Sequence, residues 1–119
     1  NSNSNLLICD NIVRSGGQTG AVMQIGYTRG LTIRGNIITG AASNPTGIYV
    51  WGKSRYNNQP GEDVIISDNQ ITATEQAISL NGARNVRIIG NVLKAARPLF
   101  ERRTEGVVSD TAGQDAATE

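Results

Sequence analysis

Val64-Ile65-Ile66-Ser67-Asp68-Asn69-Gln70-Ile71 is one of four copies of a single eight-residue pattern. The others are Leu6-Leu7-Ile8-Cys9-Asp10-Asn11-Ile12-Val13, Leu31-Thr32-Ile33-Arg34-Gly35-Asn36-Ile37-Ile38 and Val86-Arg87-Ile88-Ile89-Gly90-Asn91-Val92-Leu93. The shared template is aliphatic, any, aliphatic, any, any, Asn, any, aliphatic, and Asp or Gly always precedes the Asn. Aliphatic residues at every second place describe a strand with one buried face. The Asp/Gly-Asn pair describes a sharp bend, because these residues tolerate left-handed backbone. The Asn residues stand at 11, 36, 69 and 91, with spacings of 25, 33 and 22. Loops of varied length between fixed strands produce such spacing.

A second motif lies between the copies. It reads Thr19-Gly20-Ala21-Val22-Met23-Gln24-Ile25, then Thr46-Gly47-Ile48-Tyr49-Val50-Trp51, then Glu75-Gln76-Ala77-Ile78-Ser79-Leu80-Asn81. Each alternates as a strand does. One repeat therefore holds a strand, a bend, a short strand, a loop and another strand. No single repeat buries its aliphatic face alone, but stacked repeats share one core. Parallel strands stack about 4.8 Å apart. The Asn side chains at equivalent bends then form an amide ladder, with Asn36, Asn69 and Asn91 on one corner and Asn11 beside them. The Asn is expected to take the left-handed conformation at each bend.

The nearest rival is a leucine-rich repeat, whose core the four copies also satisfy in aliphatic form. That repeat needs a further apolar residue three positions earlier. Those positions hold Asn3, Thr28, Gly61 and Ala83. The alternating Ile48-Tyr49-Val50 and Ile78-Ser79-Leu80 strands also have no place on its helical side. No six-residue period exists, which excludes the hexapeptide left-handed helix.

These motifs resemble the right-handed parallel β-helices of the pectate-lyase-like superfamily, which includes polysaccharide lyases, mannuronan epimerases and phage tailspikes. The resemblance covers roughly residues 5–101. It implies an all-β fold, a right-handed parallel β-helix of about four coils. The coils occupy residues 1–103, as part of a longer β-helix, and 104–119 form an acidic flexible tail or docking segment. It also implies a substrate groove along the strands of the second motif. The expected function is binding or processing of an extracellular polysaccharide, in a secreted or virion-associated protein. The alternative is a structural stalk or spike segment with no site of its own.

Composition narrows the chemistry. The chain has no His, so Ser-His-Asp and Cys-His catalysis and His-ligated metals are excluded. Its one cysteine, Cys9, rules out an intrachain disulfide. Residues 1–103 carry all eleven Lys and Arg with six acids, and 104–119 carry four acids and no base. A mildly positive body suits an anionic polysaccharide, but it is too scattered for nucleic acid and no nucleic-acid motif is present. No apolar run approaches the ~18 residues of a membrane helix. No helix caps the start of the stack, so further coils or other chains are expected to cover its open ends.

Alternation points Tyr49, Trp51, Ser79 and Asn81 outward, with Val22 and Gln24 joining them from the preceding repeat. Trp51 opens the long segment 52–63, which carries Lys53, Arg55, Tyr56, Asn57, Asn58 and Gln59. Aromatic faces stack on pyranose rings, amides bond hydroxyls, and Lys or Arg pairs with acidic groups. Tyr49, Trp51, Lys53, Arg55, Tyr56, Ser79 and Asn81 are therefore the candidate sugar-binding residues. Lys53, Arg55 and Tyr56 are the candidates for the cation and base of a uronate lyase. A glycoside hydrolase instead needs two facing carboxylates, and no such pair is evident. Adjacent Glu62 and Asp63 are the only hint of Ca²⁺, and no other cofactor is expected. The body arginines, Arg97 and Arg102 among them, are expected to decorate the surface.

Overall fold

In a computed structural model, residues 3–14, 20–40, 45–52, 61–110 and 116–118 are described. Among them every regular element is a strand, and no helix is long and apolar enough to cross a membrane. The strands form three parallel sheets. Sheet I holds β1 (Asn3–Cys9), β4 (Thr28–Arg34), β7 (Gly61–Ser67), β10 (Ala83–Ile89) and β13 (Glu105–Ser109). Sheet II holds β2 (Ile12–Arg14), β5 (Ile37–Thr39), β8 (Gln70–Thr72) and β11 (Val92–Lys94). Sheet III holds β3 (Ala21–Gly26), β6 (Thr46–Trp51), β9 (Gln76–Asn81), β12 (Arg97–Arg102) and β14 (Ala116–Thr118). The chain visits sheets I, II and III in turn and returns beside the strand it left. This is the arrangement of a parallel β-solenoid.

Register converts the sequence repeat into columns. Leu6, Leu31, Val64, Val86 and Val107 align in sheet I, and so do Ile8, Ile33, Ile66 and Ile88. Ile38 and Ile71 align in sheet II, and Ile48, Ile78 and Leu99 in sheet III. All but Leu6, which is 37% exposed, belong to or pack against one cluster drawn from all three sheets. Most are fully buried, each stabilising by about 1.5–3 kcal/mol relative to exposure.

The four ladder Asn residues meet at the corner between sheets I and II. Nδ2 of Asn11 donates to Oδ1 of Asn36 at 3.1 Å, Asn36 to Asn69 at 3.0 Å, and Asn69 to Asn91 at 2.9 Å. The backbone N–H of each donor Asn reaches the same oxygen at 2.9 Å. Each Nδ2 of Asn36, Asn69 and Asn91 also donates to a carbonyl one rung back, on Ile8, Ile33 and Ile66. One side chain thus closes the bend and bonds two rungs.

The left-handed residue at this bend is the one before the Asn, which corrects the expectation from sequence. Asp10, Gly35, Asp68 and Gly90 have φ of 57°, 69°, 55° and 72°. Asp and Gly alternate for a steric reason. A Cβ at Gly35 would lie 2.5 Å from Oδ1 of Asp10, and one at Gly90 would meet Oδ1 of Asp68. Gly90→Ala is therefore expected to destabilise by about 1–3 kcal/mol, from left-handed strain plus the clash. Adding Asp68→Gly should recover only the clash. Denaturant midpoints of the single and double variants measure the two parts.

A second left-handed column crosses sheet I. Asn5, Gly30, Asp63, Asn85 and Gly106 align and all have positive φ, between 54° and 80°. Beside it runs a charge ladder in which Arg29, Glu62, Arg84 and Glu105 share one outward column. Arg29 Nε lies 2.7 Å from Glu62, and Arg84 Nε 3.5 Å from Glu105. Such exposed pairs contribute about 0–1 kcal/mol each. Within the acidic segment that follows residue 103, β13 pairs with β10 and β14 with β12.

Candidate functional site

The outward columns of sheet III build a groove. Gln24, Tyr49, Ser79 and Phe100 form one column; Gly26, Trp51, Asn81 and Arg102 form the next. Ala21, Thr46, Gln76 and Arg97 form a third. Strand pairing fixes these neighbours, so the site rests on rigid backbone. Ser79, small and only 7% exposed, leaves a dip between the larger Tyr49 and Phe100. The resulting groove has a volume of about 450 Å³ and is lined by Gln24, Thr46, Tyr49, Gln76, Ser79, Asn81, Phe100 and Arg102 among others.

Its polar groups are held in place. Asn81 Nδ2 donates to the Tyr49 hydroxyl at 3.2 Å, and Thr46 Oγ1 lies 3.4 Å from Gln76 Oε1. The guanidinium carbons of Arg97 and Arg102 lie 5.9 and 5.8 Å from the centroid of the Phe100 ring, within cation–π range. The described lining residues include no Asp or Glu. Glu101, between Phe100 and Arg102, falls in the inward column of Leu80, and Thr104 Oγ1 bonds it at 3.0 Å.

Sequence-predicted residues divide into three groups. Tyr49, Ser79 and Asn81 come together in the groove. Trp51 stands at its edge, with its ring centroid 5.2 Å from that of Tyr49 and 6.0 Å, edge to face, from that of Tyr27. Its indole lies where a side chain at Gly26 would go. Lys53, Arg55 and Tyr56 lie outside the described residues. Gln24 takes the expected outward place, but Val22 packs against the core. Val22 shares its rung position with Gly47, where a Cβ would come within 2.5 Å of Ile71 Cγ2. At this position, just after the corner, the column faces inward.

Glu62 is engaged by Arg29, and Asp63 Oδ1 accepts from Asn85 Nδ2 at 2.7 Å. No group of three His, Cys, Asp or Glu among the described residues comes together as a metal site would require. Phe100, Arg97, Arg102, Gln76 and Thr46 were missed as site residues. β12 lacks the Thr-Gly lead of β6 and carries Glu101 at an inward place, which hid its kinship with the other sheet III strands. The chain matches no protein-family model, no curated protein and no solved structure.

Proposed function

We propose that the chain is a segment of a right-handed parallel β-helix, of about four coils and of the pectate-lyase-like kind. In this reading it belongs to a secreted or virion-associated protein and binds an extracellular polysaccharide along the outer face of sheet III. Right-handedness is supported by the parallel crossovers, which take that hand in about 98% of cases. The groove itself carries the functional reading. Two aromatic rings stand two rungs apart in one column with a small Ser between them, and amides and a guanidinium flank them. Two rungs span about 9.6 Å, which suits two linked pyranose rings. Absence of carboxylates from the described lining favours binding over hydrolysis, since hydrolysis uses a pair of them.

A stalk or spike segment is the second reading, and one observation favours it. Leu7, Ile65 and Val108 are exposed on the outer face of sheet I, at 56%, 40% and 59%. They stand at every second rung of one outward column, with Thr32 and Arg87 between them, and in this reading a second chain covers that column.

A glycan array of neutral and acidic polysaccharides separates the two. Binding is expected, and Tyr49→Ala should weaken it about tenfold or more, since stacking by an aromatic ring contributes about 0.5–1.5 kcal/mol beyond the area it buries. Trp51→Ala should weaken it less, because Trp51 supports Tyr49 from the groove's edge. Arg102→Gln should weaken binding of an acidic glycan more at low salt than at high salt. A stalk would bind no glycan, and Tyr49→Ala would alter only stability or assembly.

A further inference from the structure

Two rungs of sheet III build the same platform with different charge. In β6 the residues Thr46, Tyr49 and Trp51 occupy the three outward columns, and in β12, two rungs on, Arg97, Phe100 and Arg102 occupy the same three. Each rung therefore sets one aromatic ring in the middle column of the groove. The residues flanking Tyr49 are uncharged, and those flanking Phe100 are both arginines.

The two cations converge on one ring. The guanidinium carbons of Arg97 and Arg102 lie 5.9 and 5.8 Å from the Phe100 centroid. Beside a ring a guanidinium keeps its charge and its planar fork of donors. Arg97 is exposed, and the ion pairs among the described residues, Arg29–Glu62 and Arg84–Glu105, do not include it. Glu101, between Phe100 and Arg102 in the chain, takes an inward place and accepts from Thr104 Oγ1.

The Tyr49 end offers hydroxyl and amide groups instead. The Tyr49 oxygen accepts from Asn81 Nδ2, which leaves the phenol proton to donate to a ligand. Thr46 Oγ1 donates to Gln76 Oε1, which leaves the Gln76 Nε2 protons to do the same. Such groups suit sugar hydroxyls. Among the described lining residues, the one cation, Arg102, stands at the Phe100 end.

Resting on the polysaccharide reading of this groove, we infer that its ligand is a glycan whose neighbouring units differ in charge. A neutral pyranose lies on Tyr49 and an acidic one on Phe100, with its carboxylate or sulfate held by Arg97 and Arg102. Arg97 and Arg102 are then the residues that set specificity, and they fix the direction in which the glycan lies along the stack.

The test is titration calorimetry of the full chain with five tetrasaccharides. One alternates hexose with hexuronate, a second is its methyl ester, and a third alternates hexose with sulfated hexose. The fourth is hexose only and the fifth hexuronate only. An alternating acidic form is expected to bind about tenfold or more tighter than the hexose form, because bonds to charged groups are the strong ones. Esterification should remove the uronate's share of that gain, and the tighter of the uronate and sulfate forms identifies the anion. Arg97→Gln should reduce the preference for acid at low salt more than at high salt and leave hexose binding unchanged. The hexuronate-only form should bind more weakly than the alternating one, and Thr46→Lys, which adds a cation beside Tyr49, should close that gap.

Equal affinity for all five overturns the inference and leaves the polysaccharide reading standing, whereas binding of none overturns both. An Arg97→Gln variant that keeps the full preference for acid overturns it too. Equal affinity for the alternating and hexuronate-only forms, with the latter lost on Lys53→Gln and Arg55→Gln together, places a cation over Tyr49 and overturns the neutral subsite.

Discussion

Ile66→Asp is expected to abolish cooperative folding of residues 20–110. Ile66 is fully buried, with Ile33 and Ile88 above and below it in the same column. An ionised carboxylate there loses its water and gains no partner, at a cost of several kcal/mol. Folded domains hold only about 5–15 kcal/mol in all. The stack offers no relief, because each rung contacts its neighbours and a charge in a central rung disturbs both sides. Ile66→Val removes one methylene and should cost only about 0.5–1.5 kcal/mol. Circular dichroism during heating should show a cooperative transition for Ile66→Val and none for Ile66→Asp. A wild-type melting temperature for Ile66→Asp would show that this side chain does not face the core.

Asn69→Ala is the second large effect, by a different mechanism. Asn69 is 1% exposed. Its Oδ1 accepts from Asn36 N at 2.9 Å and Asn36 Nδ2 at 3.0 Å, and its Nδ2 donates to Ile33 O at 3.0 Å and Asn91 Oδ1 at 2.9 Å. Alanine leaves the amide of Asn36 and the carbonyl of Ile33 without these partners. Each buried orphan costs about 1–3 kcal/mol, so the variant should lose about 3–6 kcal/mol. The same change at Asn11, which is exposed at the end of the ladder, should cost less than about 1 kcal/mol. Urea denaturation of the four Asn→Ala variants measures this gradient. Equal losses at Asn11 and Asn69 would mean that the amides act as separate turn formers rather than as a ladder.

Much of this stack is legible in the residues because the same eight-residue pattern returns at every rung. Ile33, Ile66 and Ile88 recur at one place before the bend, and an Asn recurs after it. A primary amide is self-complementary, so its repetition at one corner already describes a ladder. The left-handed residue was harder to place, because Asp, Gly and Asn all tolerate positive φ and stand side by side at the bend. Only the packing decides. The Asn side chain must point along the stack to its neighbour, so the preceding residue turns the backbone.

The second left-handed column also has a signal in the sequence. Asn5, Gly30, Asp63 and Asn85 each stand six residues before a ladder Asn. Their mixed identities conceal a shared backbone requirement. In the groove, alternation alone located Tyr49, Ser79 and Asn81. Phe100 and Arg102 needed the register of β12 against β9, because Glu101 interrupts the aliphatic pattern by which such a strand is recognised.

The most direct test of the groove is to fill it. Ser79 is the small residue between Tyr49 and Phe100 in the outward column. Ser79→Tyr places a third ring there without altering any inward residue. Titration calorimetry with a glycan selected on the array should show binding to the unmodified chain and at least a tenfold loss for Ser79→Tyr, with melting temperatures that agree closely. Equal affinity in the two proteins, or no glycan bound by the unmodified chain, would contradict a polysaccharide site on the outer face of sheet III.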